Sequence, residues 1–121
     1  MVEEKKTRWC KICGVTSPKD GRILSEIGVS AIGLMFYQDS DRYVSYERAK
    51  RVSDEIKSVN PSVRTVGVFV NPTSDMVGDA IAKVGVDMLQ FHGSESPSFC
   101  ESFGLPYIKS VGVTAKTNFI Q

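Results

Sequence analysis

Cys10 and Cys13 stand three residues apart near the start of the chain, a spacing that can serve a redox pair or half a zinc site. Their surroundings speak against both. A redox pair opens a helix, whereas Arg8-Trp9-Cys10-Lys11-Ile12-Cys13 reads as a strand ending at Gly14. Strand residues three apart face opposite sides and sit ~10 Å apart, beyond the ~7 Å between Cα atoms that a disulfide spans. Zinc would need two further ligands, and only Cys100 and His92 remain, without paired spacing. An odd count of three cysteines makes no disulfide framework either. The expectation is therefore no metal. Cys13 suggests other chemistry. Lys11 shares its strand face roughly 7 Å away, and an ammonium there favours the thiolate, preparing Cys13 as a base or nucleophile. A buried structural cysteine is the competing reading, and it suits Cys100, set between Phe99 and Phe103.

Three other polar residues stand where chemistry could use them. Alternation puts Met88, Gln90 and His92 on one face of a strand and Leu89 and Phe91 on the other. Lys11, Cys13, Gln90 and His92 all fall toward the C-terminal ends of their strands, where α/β folds place their sites. They are expected to form one polar cluster. His92, directly before Gly93-Ser94, suits ligand orientation or turn capping better than proton transfer. Arg42 lies in a loop beside Asp39 and Asp41. It can pair with those aspartates or bind an anion.

The elements that must carry these residues follow from the rhythm of the chain. Short apolar runs recur at Trp9–Cys13, Ala31–Phe36, Thr65–Val70, Asp87–His92 and Tyr107–Val113, each too short for a buried helix. Helical stretches separate them. Ser17-Pro18 opens the first, with Ile23, Leu24 and Ile27 on one face and Gly28 as its stop. Ser45 caps Tyr46 to Ser58, with Ala49, Val52 and Ile56 at helical spacing before Asn60-Pro61. Asn71-Pro72 opens a third, with Met76, Val77, Ala80 and Ile81 inward and Gly85 as stop. Ser94 to Phe103 forms a shorter fourth. Gly21, inside the first helix, reads as a weak point costing roughly 1 kcal/mol.

The order β-α-β-α-β-α-β-α-β predicts α/β parallel strands with right-handed crossovers. No linker or low-complexity segment divides residues 1–121, so a single domain is expected. Two architectures fit: an open doubly wound sheet, or part of a (β/α)8 barrel. No G-x-G-x-x-G or Walker A sequence follows any strand, which weakens the nucleotide-binding versions of the open sheet. A complete barrel needs about 200 residues or more, so 121 residues make roughly half of one.

Composition narrows the function classes. Lys+Arg 15 against Asp+Glu 14 leaves a net charge of +1, without the basic stripe of a nucleic-acid binder. No apolar run approaches the ~18 residues of a membrane span. Met1 to Arg8 is charged with both signs and lacks the core of a signal peptide. A cytoplasmic protein is expected, without nucleic-acid or membrane partners.

Five segments in order carry a resemblance. Lys11-Ile12-Cys13-Gly14-Val15-Thr16 resembles the N-terminal motif of the phosphoribosylanthranilate isomerase family, (β/α)8 enzymes of tryptophan biosynthesis. Ala31-Ile32-Gly33-Leu34-Met35-Phe36 is similar to its second strand, and Ser40-Asp41-Arg42-Tyr43-Val44-Ser45 to the loop that follows. Val66-Gly67-Val68-Phe69-Val70-Asn71 resembles the third strand. Leu89-Gln90-Phe91-His92-Gly93, with Glu95, resembles the fourth, and Ile108-Lys109-Ser110-Val111-Gly112-Val113 the fifth.

The resemblance implies the N-terminal half of a TIM barrel, strands 1–5 and helices 1–4. It implies an Amadori rearrangement of N-(5-phosphoribosyl)anthranilate without metal or cofactor. Cys13 matches the family's general base and Arg42 the arginine near the anthranilate part of the substrate. Gln90 and His92 match positions lining the pocket, with Lys11 beside them. The family's general acid is an aspartate on a sixth strand, and its phosphate loops follow strands seven and eight. No residue here matches either, so the chain reads as cut short before strand six and is expected to be inactive or very weak alone. Unpaired edge strands and an uncovered inner face then predict self-association, or pairing with a complementary half-barrel.

Overall fold

Five short strands and four helices alternate along residues 9–110, the part of the chain described by the computed structural model. The strands are β1 (Lys11–Cys13), β2 (Ala31–Met35), β3 (Arg64–Phe69), β4 (Met88–Phe91) and β5 (Tyr107–Lys109). The helices are α1 (Pro18–Ile27), α2 (Tyr46–Val59), α3 (Ser74–Asp79) and α4 (Pro97–Glu101). The predicted continuation of the fifth strand to Val113 lies outside the described residues, as do Met1 to Arg8. No helix among the described residues is long and apolar enough to cross a membrane.

All neighbouring strands pair in parallel, in the order β1-β2-β3-β4-β5. This order decides between the two architectures left open above. A doubly wound sheet reverses its strand order at a switch point; a barrel adds each strand beside the last. The chain follows the second course. Right-handed crossovers then place every helix on one face of the sheet. Ile32, Leu34, Phe69, Leu89 and Phe91 of that face pack in one core with Val52, Ile56, Val77 and Cys100. Phe36, Phe69 and Phe91 stack side by side across it, with ring centroids 5.5 and 5.9 Å apart. Each fully buried side chain of this size contributes roughly 1.5–3 kcal/mol.

The opposite face carries a smaller cluster of Ala31, Val66 and Val68, with Met35 and Met88 against it. The expected bare inner face is therefore not found at these three positions. They are closed off from solvent, small side chains set between two longer methionines.

Local signals hold at several boundaries. Ser17 Oγ accepts from Asp20 N–H and Ser45 Oγ from Arg48 N–H, as N-caps do. Gly28 and Gly85 end their helices in the left-handed region. Ala49, Val52 and Ile56 are fully buried.

Elsewhere the structure corrects the reading. Ile27 is 71% exposed and Ile23 exposed as well, because α1 turns Gly21 and Ser25 inward instead. A Cβ at Gly21 would stand 3.1 Å from Ile56 Cγ1 and 3.2 Å from Val52 Cγ1. The residue marked as a helix weakness is what lets α1 lie close against α2. Thr73, not Asn71, caps α3 through Met76 N–H. The third helix continues as a π-helical turn, Ala80–Val84. α4 starts only at Pro97, because Gly93 and Ser94 N–H groups are held by side chains outside the helix.

Candidate functional site

The polar residues collect along the C-terminal edge of the sheet. Parallel register places Lys11 beside Ala31 and Cys13 beside Gly33, so both β1 residues share the face of Ala31, Val66 and Val68. The Cys13 thiol projects across the strand pair: a Cβ built at Gly33 would stand 2.9 Å from its sulfur and 3.3 Å from Val68 Cγ2. Only glycine leaves the thiol that room. Cys10, Cys13 and Cys100 are all free thiols, the first two exposed and Cys100 buried. Burial raises the Cys100 thiol, with the nearby Glu95 carboxylate adding to the effect, which fits a structural cysteine.

β1 ends at Gly14, whose φ of +87° few side chains tolerate. The turn brings Arg42 from the loop after β2 across the end of β1. Its Nη1 donates to the Gly14 carbonyl at 3.3 Å, and its Cγ lies 3.0 Å from where a Gly14 Cβ would be. Arg42 thus rests on β1 and forms no ion pair with Asp39 or Asp41 among the described residues. A cleft of about 240 Å³ opens here, lined by Ile12, Cys13, Gly14, Asp20, Ile23 and Arg42 among others.

Gln90 sits on the same face as Cys13, through its register with Val68. Its Nε2 donates to Ser110 Oγ at 2.7 Å. Its Oε1 is buried without a hydrogen-bond partner among the described residues. His92 lies one residue beyond β4 and is exposed, its N–H held by the Phe69 carbonyl at 2.9 Å. The single polar cluster expected of Lys11, Cys13, Gln90 and His92 is therefore two groups. Strands β2 and β3 separate them, roughly 14 Å along the sheet at the usual strand spacing. Cys13 and Arg42 are neighbours at one end; Gln90 and His92 are neighbours at the other.

A third group was not singled out from the sequence. The Glu95 side chain is 2% exposed although it belongs to the loop after β4. Its carboxylate accepts from Asn71 N–H at 2.7 Å, Gly93 N–H at 2.9 Å and the Lys109 ammonium at 2.7 Å. Lys109 also donates to the Gly93 carbonyl. Burial by itself would raise the Glu95 carboxyl, but the Lys109 bond and the backbone N–H groups outweigh it and hold it below its ordinary value. The signal was present: a lysine in a short strand needs a polar partner, and Lys109 ends a strand of three residues. Among the described residues, no group of three His, Cys, Asp or Glu gathers as metal ligands would.

Comparison with known proteins places this geometry. A family model described as N-(5'phosphoribosyl)anthranilate (PRA) isomerase matches residues 10–121. The chain is 40% identical over 111 residues to the N-(5'-phosphoribosyl)anthranilate isomerase of Nitrosospira multiformis, covering 92% of this chain and 52% of that one. It superposes on the crystal structure of phosphoribosyl anthranilate isomerase from Thermotoga maritima with a TM-score of 0.77 at 36% identity, over 88% of this chain and 52% of that one. A phosphoribosyl anthranilate isomerase in complex with reduced 1-(o-carboxyphenylamino)-1-deoxyribulose 5-phosphate gives 0.78 at 37% identity, over 89% and 55%. The chain spans about half the length of the curated relatives it matches.

Proposed function

The chain belongs to the N-(5'-phosphoribosyl)anthranilate isomerase family, and on that premise we propose that its residues serve the Amadori rearrangement of N-(5-phosphoribosyl)anthranilate to 1-(2-carboxyphenylamino)-1-deoxyribulose 5-phosphate in tryptophan biosynthesis. The observation that carries the reading is that Arg42 rests on Gly14, the residue after Cys13, and lines the same cleft as Cys13 at the end of β1. It sets a nucleophile-class side chain and a guanidinium beside one cleft.

The chemistry runs in three stages. A general acid protonates the furanose ring oxygen and the sugar opens to a Schiff base. Cys13, as the base, takes the proton from the sugar's C2; that C–H pair forms the C1–C2 double bond while the C1–N π pair moves to nitrogen. The resulting enolamine becomes the ketone as C1 gains a proton and the C2 hydroxyl loses one. Arg42 binds the anthranilate carboxylate through charge-assisted hydrogen bonds. Gln90 offers its free Oε1 to a substrate hydroxyl and His92 orients the same region, both about a ligand's length from Cys13, with Lys11 adding positive charge on the β1 side.

The acid is the part for which none of the 121 residues matches the family motif. A proton-transfer group of this kind contributes ~10²–10⁴-fold, so this polypeptide alone is expected to turn over weakly or not at all. The test is fluorescence-monitored turnover of phosphoribosylanthranilate, beside calorimetric binding of the reduced product analogue, with Cys13→Ala and Arg42→Ala as controls. Analogue binding that Arg42→Ala weakens, with any turnover abolished by Cys13→Ala, supports the reading. Binding and turnover indifferent to both substitutions would overturn it.

One observation favours a second role beside this one. Ile12, Ile23 and Ile27 leave an exposed apolar strip along β1 and α1. It supports self-association, or closure by a complementary half-barrel, in forming the site.

A further inference from the structure

The ends of β3, β4 and β5 are tied together by a polar group that the proposed chemistry does not use. Glu95, nearly enclosed, gathers the N–H groups of Asn71 and Gly93 and the ammonium of Lys109. Lys109 returns to the Gly93 carbonyl. Asn71, held at φ +47°, accepts the Ser94 N–H on its Oδ1 at 2.6 Å. A Cβ at position 93 would collide with that same Asn71 amide.

The effect is concentrated on three residues. Both backbone polar groups of Gly93 are bound by charged side chains, the Ser94 N–H by Asn71, and the His92 N–H by the Phe69 carbonyl. Loops of this kind are ordinarily bound by water and move. This one is clamped from two neighbouring strands. Enclosing a carboxylate, even a paired one, is a poor way to add stability, since desolvation offsets most of the attraction. What four bonds to one turn do provide is a fixed backbone, the requirement for a side chain that must meet a ligand within a fraction of an ångström.

We propose that Glu95 and Lys109 are positioning residues that hold the His92–Ser94 turn in one conformation, so that His92 is presented at the mouth of the site beside Gln90. The proposal rests on the reading of His92 as a substrate-orienting residue.

His92 is the sole histidine of the chain, so its imidazole signals in a carbon–proton correlation spectrum need no assignment. The experiment compares wild-type protein with Lys109→Met, Lys109→Arg and Glu95→Gln. The expected result is one sharp set of imidazole signals in wild type, broadened or multiple signals in Lys109→Met and Glu95→Gln, and restoration in Lys109→Arg. Exchange of the Gly93 amide should quicken roughly tenfold or more in Glu95→Gln, with Ile32 and Leu34 unchanged. Sharp, unshifted imidazole signals in Lys109→Met would overturn the proposal. So would loss of the folded sheet in that variant, which would make the pair a structural prop. Titrating wild type with the reduced product analogue keeps the two readings apart. An ordered imidazole that ignores the analogue counts against the substrate role of His92, while the clamp is judged by the variants alone.

Discussion

The sulfur of Cys13 lies over Gly33 of the adjacent strand, and a Cβ at position 33 would stand 2.9 Å from it. β1 and β2 thus divide one small volume between a thiol and a missing side chain. The position of the candidate base is set by its neighbour as much as by its own strand.

Gly33→Ala is expected to displace the thiol. Val68 Cγ2, 3.3 Å from the new methyl, is buried and leaves little room for relief. Overpacking of this kind costs typically 1–3 kcal/mol, measurable by urea unfolding. The rate of Cys13 alkylation should change in the same variant, with Cys10 as the internal comparison; an unchanged rate would detach the thiol's position from Gly33.

Two glycines in helices should respond in opposite directions to alanine. Gly78 meets nothing within 4 Å, so Gly78→Ala should gain about 0.5–1 kcal/mol from backbone entropy. Gly21→Ala brings a methyl to within 3.1 Å of Ile56 and 3.2 Å of Val52, both fully buried. It should lose about 1 kcal/mol or more despite the better helix propensity. Equal gains at both sites would show that α1 and α2 can separate freely.

Asp87 makes stability depend on acid. Burial alone would raise its carboxyl, but the Lys57 ammonium at 2.5 Å and the Thr65 N–H at 2.9 Å outweigh burial and lower it. Since its folded value lies below the ordinary 3.8, its contribution is full above about pH 4 and is lost as pH falls through the folded value. Asp87→Asn should unfold more easily at neutral pH by about 1 kcal/mol and show a shallower acid limb. An acid limb identical to wild type would assign the sensitivity elsewhere, with Glu95 the next carboxylate to test.

The apolar strip makes a prediction about assembly. Ile27 is solvent-facing, so Ile27→Lys should shift stability by no more than about 0.5 kcal/mol. In sedimentation velocity it should reduce the associated fraction. A wild-type protein that sediments as monomer at every concentration would remove the strip as an interface.

What the sequence by itself determined is local. A period of two placed Lys11 with Cys13 and Gln90 with Met88, because alternation across a strand needs no knowledge of the rest of the chain. Ser17 and Ser45 were legible as caps and Gly28 and Gly85 as stops, since each acts on backbone within a few residues. Tertiary structure decided what depends on which segments meet. The strand order separated Cys13 from Gln90 by two strands and excluded the doubly wound alternative. Gly21 looked like a defect until Ile56, from another helix, was beside it, and Ile27 looked buried until α1 rotated to bring that glycine inward. The Glu95–Lys109 pair joins residues 14 apart and encloses a carboxylate that the sequence pattern puts in the first turn of the fourth helix. Burial and hydrogen bonding are properties of neighbours in space, and for these residues the neighbours come from other strands and helices.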